Sequence, residues 1–242
     1  MRSIVLTLTF LAAFTLSSCK AGSPIGNPNS PVTGTVETRE QLETKANAGD
    51  RDAQFQLGAM YHDGQEVEKD LKLALEWLEK SAAQGDQRAQ FNLGVMHFSG
   101  DGMAQDYDKA REWFQKAAAQ GNARAQFNLG VMYYRGEGVT QDPERALGLF
   151  TDAAKQGFAE AQFNLGVMYA KGEGILPDVA QAYAWFSVAD AFGNERSAEI
   201  LQQIENGLSP EQSDLLHDLA QQTLDEVKEN IAAAAEKVKE GM

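Results

Sequence analysis

The chain of 242 residues has one cysteine, Cys19, and three histidines, His62, His97 and His217. A single cysteine excludes an intrachain disulfide and a metal site built from several thiolates. A three-histidine metal site would need all three histidines, which lie far apart in the sequence. We therefore expect no metal and no cofactor.

The sequence is also short of positive charge, with 21 Lys and Arg against 35 Asp and Glu and a formal net charge of −14. It contains no cluster of basic residues. This balance argues against a nucleic acid or an anionic lipid surface as the main ligand. A protein, a glycan or a small molecule is the favoured class of partner.

The first apolar run, 4–16, is shorter than the roughly 20 residues needed to span a bilayer. With Arg2 before it and small residues after it, residues 1–18 have the layout of a secretory signal peptide. The exit sequence Leu-Ser-Ser-Cys resembles a bacterial lipobox, which implies that Cys19 is lipidated and anchors the chain to a membrane. The alternative is an ordinary signal peptide with an incidental cysteine. Lys20, where retention in the inner membrane commonly uses Asp, implies the outer membrane facing the periplasm, if the source is Gram-negative.

Residues 20–36 contain three Pro and three Gly without apolar periodicity, which is typical of a disordered tether. Fully extended, this segment would reach roughly 55–60 Å. Residues 19–36 are therefore predicted to join the lipidated cysteine to the folded part.

The octapeptide AQFNLGVM occurs at 89–96, 125–132 and 161–168, and the near copy AQFQLGAM occurs at 53–60. Five glycines with the same spacing bound four repeats of 36 residues: repeat 1 (50–85), repeat 2 (86–121), repeat 3 (122–157) and repeat 4 (158–193). Repeat positions are counted from the first residue of each repeat. Each repeat predicts a helix A that contains the octapeptide and ends at a Gly, and a helix B that begins after an Asp at position 21. The Gly inside the octapeptide predicts a close approach of two helices.

The pattern A-x-x-x-L-G-x-M-Y-x-x-G-x-G-V-x-x-D-x-x-x-A-x-x-W-F-x-x-A-A-x-x-G resembles the Sel1-like repeat, a relative of the tetratricopeptide repeat. The resemblance covers 50–193 and implies an all-α fold, an α-solenoid of helix-turn-helix repeats forming a right-handed superhelix. Glu66 departs from the pattern in place of a turn Gly, His97 in place of Tyr, and Leu149 in place of Trp. Residues 37–49 predict an N-terminal capping helix, and 194–242 predict a degenerate repeat followed by a C-terminal capping helix.

The resemblance implies that the helices A line a concave wall, on which a narrow polar arc remains at positions 3, 7 and 14. We name this predicted partner-binding arc the helix A strip, and its candidate residues are Arg88, Asn92, Arg124, Asn128, Arg135, Asn164 and Lys171. Carboxamides could bind an extended peptide backbone, and the cations could bind carboxylates. The alternative is a solvated strip whose Asn residues were copied with the repeat.

These features favour a membrane-anchored periplasmic adaptor that binds a segment of an envelope protein partner. The alternative is a module that binds envelope glycan or peptidoglycan, but the aromatic residues fit the packing pattern. An enzyme is disfavoured because the G-x-G pairs follow helices and no Ser-His-Asp order stands out. Some cysteine-rich relatives are linked to β-lactamase-like activity, and this chain lacks their paired cysteines.

Overall fold

The computed structural model describes residues 38–240, all of whose regular elements are helices. The predicted signal peptide (1–18), the lipidation site Cys19 and the tether lie outside the described residues. The helices are α1 (Arg39–Asn47), α2 (Arg51–Asp63), α3 (Leu71–Ala83), α4 (Gln87–Ser99), α5 (Tyr107–Ala119), α6 (Ala123–Arg135), α7 (Pro143–Lys155), α8 (Ala159–Lys171), α9 (Val179–Ala191), α10 (Glu195–Glu205) and α11 (Pro210–Glu240).

The boundaries of the repeated helices follow from local chemistry. Every helix B begins after an Asp whose carboxylate accepts backbone N–H groups, as Asp106 does from Lys109 at 3.0 Å. Each of α2, α4 and α8 ends at a Gly with left-handed backbone, for example Gly100 at φ 74°. Glu66, where the other repeats have the second turn Gly, adopts the same left-handed region at φ 60° and bears the strain of a β-carbon there. The predicted pairs of helices and their 36-residue period are confirmed.

The glycine inside the octapeptide lies against helix B of its own repeat. A β-carbon added to Gly94 would come within 2.5 Å of Phe114 Cδ1, and one added to Gly166 within 2.8 Å of Phe186 Cδ1. Real β-carbons do not approach so closely, so only Gly permits this spacing between the two helices. The predicted close approach is confirmed.

The described residues divide into two compact units, an N-terminal unit (38–125) and a C-terminal unit (126–240). In the N-terminal unit, α1 covers repeat 1, and Leu42 and Ala46 are buried with Leu57 and Trp77. Thr38 and Gln41 form a capping box at the start of α1. This helix supplies the cover that repeat 1 cannot provide for itself.

In the C-terminal unit, α10 and α11 pack on repeat 4. Ile200 and Ile204 of α10 and Leu216 of α11 join the buried cluster that contains Phe163 and Tyr183. α11 contacts α9 and α7. The consequence is that α8 is buried on most of its sides, with all eight octapeptide residues inaccessible to solvent.

Candidate functional site

The seven residues of the helix A strip lie on three helices. Arg88 and Asn92 are on α4, Arg124, Asn128 and Arg135 are on α6, and Asn164 and Lys171 are on α8. Arg88, Asn92 and Arg124 belong to the N-terminal unit, and the others belong to the C-terminal unit.

The carboxamides at position 7 differ in exposure. Gln56 is exposed and Asn128 is half-buried, but Asn92 is 3% exposed and Asn164 is fully buried. The Asn92 Nδ2 atom has no hydrogen-bond partner among the described residues. A row of equally accessible amides is therefore not present, and the carboxamides at 92 and 164 lie in the packed interior.

Arg88 is held by carboxylates of its own unit. Its Nε donates to Asp86 Oδ1 at 3.1 Å and its Nη2 to Asp86 Oδ2 at 2.5 Å, and it also pairs with Asp52 of repeat 1. The guanidinium carbon lies 4.3 Å from the centroid of the Phe55 ring. The fork of Arg88 is already occupied, so this residue secures the junction of repeats 1 and 2.

Asp86 shows why this ion pair is structural. It caps α4, is almost fully buried, and also lies 3.8 Å from Arg51 Nε. Burial alone would raise the pKa of Asp86, but the hydrogen bonds and charge of Arg88 outweigh it and hold the pKa below its ordinary value. Removing Arg88 would leave a buried carboxylate without its main counter-charge.

The other three cations of the strip have fewer close ionic contacts than Arg88. Arg135 Nη1 lies 3.5 Å from Glu137, and Lys171 Nζ lies 4.0 Å from Glu173. Ion pairs with such long separations between partly exposed groups are weak and leave the cations available to a partner. Arg124 is exposed and makes no hydrogen bond, ion pair or cation–π contact with any residue in 38–240.

A network of glutamines, which the sequence analysis did not single out, ties the repeats together. The position 5 glutamines Gln54, Gln90 and Gln126 accept hydrogen bonds of 2.7–2.8 Å from the position 35 glutamine of the same repeat. Gln54, Gln90 and Gln162 also donate to the carbonyl of an Ala eight residues earlier. The signal was present in the sequence, because Gln stands at position 5 in all four repeats.

Repeat 4 lacks the hydrogen bond from a glutamine at position 35 to the glutamine at position 5. Phe192 occupies position 35, so Gln162 Oε1 is buried without a hydrogen-bond partner among the described residues. The two ends of the array are therefore not chemically equivalent.

A second link joins position 13 of one repeat to the turn of the next. In the N-terminal unit, His62 Nε2 lies 3.0 Å from Asp101 Oδ2, and His62 Nδ1 lies 2.7 Å from Asp63 Oδ1. In the C-terminal unit, the Tyr134 hydroxyl donates to Glu173 in the same register. Burial and the Glu173 carboxylate raise the pKa of Tyr134. Position 13 thus contributes to contacts between repeats.

The described residues bring one Ser, His and Glu together at the end of the array. Ser213 Oγ lies 3.3 Å from His217 Nδ1, and His217 Nε2 lies 3.6 Å from Glu205 Oε1, which also accepts from the Tyr183 hydroxyl at 2.7 Å. The Ser213 N–H is used within α11, where it donates to the Ser209 carbonyl. Because acyl transfer needs free N–H donors for the oxyanion, these side chains are better explained as a link between α9, α10 and α11.

No group of three or more His, Cys, Asp or Glu suited to a metal ion is found within 38–240. In the same range, no helix is both long and apolar enough to cross a membrane.

The comparisons with known proteins agree on the repeat. The profile of the Sel1 repeat matches residues 51–86, 87–122, 123–158 and 159–189. A protective antigen of uropathogenic Escherichia coli with an SLR fold is 36% identical over 81% of this chain, with a TM-score of 0.71. The chain spans 43% of that antigen. A Sel1 repeat protein from Oxalobacter formigenes is 32% identical, with 75% of this chain and 74% of that chain covered and a TM-score of 0.64.

None of the curated proteins that were compared is significantly similar to the sequence. Sel1 repeat proteins are generally scaffolds for protein–protein interaction, and their fold is a non-enzymatic one. With the profile matching more than half of the residues, the chain belongs to the Sel1 repeat family.

Proposed function

We propose that this protein is a lipid-anchored adaptor of the bacterial envelope, facing the periplasm. It binds a segment of a protein partner on the helix A side of its repeats. Lipidation of Cys19 would hold it at the outer membrane, and the tether would let the repeats stand off the lipid surface.

The observation that supports partner binding is the contrast between buried and exposed repeat positions. Two apolar residues that recur in every repeat, the Ala at position 4 and the Leu at position 8, are buried in all four. Position 3, by contrast, is exposed in all four repeats and differs in charge, with Asp52, Arg88, Arg124 and Glu160. A scaffold that keeps its packing residues constant and varies its exposed ones presents a different surface at each repeat, which suits recognition of an extended segment.

In-cell photo-crosslinking tests this proposal. A photoreactive residue is placed at exposed helix A positions, Gln56 or Ser99, and at exposed helix B positions, Glu76 or Glu112, as matched controls. We expect one protein partner to crosslink from the helix A positions only. Equal crosslinking from both faces, or crosslinking to glycan alone, would contradict the adaptor proposal, and the second result would favour the glycan-binding alternative.

The membrane anchor is tested separately. A Cys19→Ser variant is expected to move from the membrane fraction to the soluble periplasmic fraction. Retention in the membrane fraction would contradict lipidation at Cys19.

A further inference from the structure

The N-terminal unit contains two arginines at the same repeat position with opposite surroundings. Arg88 is clamped by Asp86, the N-cap residue of its helix, and by Asp52, which stands at position 3 of the preceding repeat. Its charge is neutralised within the chain, and the face of its guanidinium is covered by Phe55.

Arg124 is the equivalent residue one repeat later, and both of its carboxylate partners are replaced. The N-cap position holds Asn122, whose Oδ1 accepts from the Ala125 N–H at 2.9 Å and which carries no charge. Position 3 of the preceding repeat holds Arg88 in place of an acid. The substitutions leave an uncompensated guanidinium on the surface of a protein whose net charge is −14.

The Phe at position 6 is also less covered in repeat 2 than in repeat 1. Phe91 corresponds to Phe55, but no cation of residues 38–240 lies over its ring, and it is half-buried where Phe55 is 8% exposed. Val95, one turn further along α4, is also half-buried. α4 therefore presents partly exposed apolar side chains where the equivalent Phe of repeat 1 is capped by an arginine.

We infer that Arg124, with Phe91, is the point at which the partner segment docks, and that this segment carries a carboxylate beside an apolar side chain. The inference rests on the proposed adaptor function and names the chemistry of its partner. The planar guanidinium of Arg124 offers two parallel N–H donors to one Asp or Glu side chain, a geometry that favours a carboxylate. The apolar side chain of the segment would cover the exposed part of Phe91.

The net charge of the chain distinguishes such a segment from a nucleic acid. A polyanion would bring many phosphates towards a protein of net charge −14, whereas one or two carboxylates in a short segment meet only the local positive charge. The expected partner is thus a locally acidic protein segment.

The test selects a phage-displayed library of random linear peptides on the native protein and measures the affinity of enriched peptides by fluorescence anisotropy. Arg124→Glu reverses the charge. Asn122→Asp is the sharper variant, because it gives Arg124 the same N-cap carboxylate that neutralises Arg88 and preserves the helix cap. Lys72→Glu, an equal charge change at an exposed position of α3, is the control. Circular dichroism and thermal unfolding verify that all variants keep the fold.

We expect enriched peptides to contain Asp or Glu next to an apolar residue. We expect their affinity to fall about tenfold or more in Arg124→Glu, the order expected for a charge-assisted bidentate contact, to fall in Asn122→Asp, and to stay unchanged in Lys72→Glu. If the enriched peptides bind Asn122→Asp and Arg124→Glu as tightly as they bind the native protein, the inference is overturned. The adaptor function would still stand in that case. Failure to enrich any peptide would overturn both.

Discussion

The octapeptide AQFNLGVM occupies both α4 and α8, and its surroundings differ between the two. In α4, Phe91 and Val95 are half-buried, whereas in α8 the corresponding Phe163 and Val167 are fully buried. In α8, Arg196 of α10 lies 4.2 Å from the Phe163 ring centroid, and Ile200 belongs to the same cluster. Identical sequence therefore does not fix burial in a repeat protein, because each repeat depends on its neighbours for cover.

The test with the largest expected effect removes the same Phe side chain from the octapeptide in α4 and from the octapeptide in α8. Phe163→Ala should lower the free energy of unfolding by about 3–5 kcal/mol, as expected for a fully buried Phe, because it leaves a closed cavity. Phe91→Ala should cost about half as much, because part of its ring already contacts solvent. Urea unfolding followed by circular dichroism measures both. Equal losses would show that the octapeptide alone determines how its Phe is buried.

The second test exchanges the glycine that both copies share. Gly94→Ala and Gly166→Ala should each cost about 1–3 kcal/mol, since the new methyl group would overlap Phe114 or Phe186. We expect similar values, because this contact lies within one repeat and does not depend on the next. Gly148→Ala is the matched control: no atom lies within 4 Å of the added β-carbon, and helix propensity predicts a gain of about 0.5–1 kcal/mol. A large difference between Gly94 and Gly166 would mean that the two helix pairs are packed differently.

The features that the sequence could predict are those that depend on contacts within one repeat. The period, the helix pairs, the Asp caps and the close glycines follow from local rules that act within one repeat. The burial of Asn92 and Asn164 could not be seen, because a helical wheel treats each helix alone and ignores what the next helix covers. The ion pair between Arg88 and Asp86 could have been predicted, because Asp86 lies two residues before Arg88 at the N-cap position.

The third test makes repeat 2 resemble repeat 4. Gln120 donates to the buried Gln90 Oε1, whereas the corresponding Gln162 Oε1 already lacks such a donor. Gln120→Ala should therefore cost about 1 kcal/mol, the loss expected when a buried acceptor is left without a partner. Gln56→Ala, at an exposed position, should change stability by less than about 0.5 kcal/mol. If both substitutions were neutral, the glutamine network would not contribute to stability.

The smallest test concerns the residue that directly follows the octapeptide, which is His97 in α4 and Tyr169 in α8. Burial lowers the pKa of His97, and the charge of Lys109 acts in the same direction, while Asp106 and Glu79 oppose it. Its Nδ1 is buried without a hydrogen-bond partner among the described residues. Burial raises the pKa of Tyr169, which therefore stays neutral throughout the physiological range.

The sign of the pH effect follows from these directions. Below the ordinary histidine pKa of about 6.5, His97 is protonated in the unfolded chain but still neutral in the folded chain. Proton binding therefore stabilises the unfolded state relative to the folded state. Stability should be full above about pH 7 and decrease as the pH falls through the ordinary pKa towards the lower folded one. Asp86 does not interfere, because its pKa lies below the ordinary value and its contribution is lost only below about pH 4.

His97→Tyr gives α4 the residue that the other three repeats have at this position, Tyr61, Tyr133 and Tyr169. We expect the variant to lose the decrease in stability between about pH 7 and pH 5 that the native protein shows, because no buried imidazole then remains in α4. Urea unfolding of both proteins at several pH values measures the difference, with His217→Gln as a control for an exposed histidine. The same pH dependence in the native protein and in His97→Tyr would mean that His97 takes up its proton as readily in the folded chain as in the unfolded one.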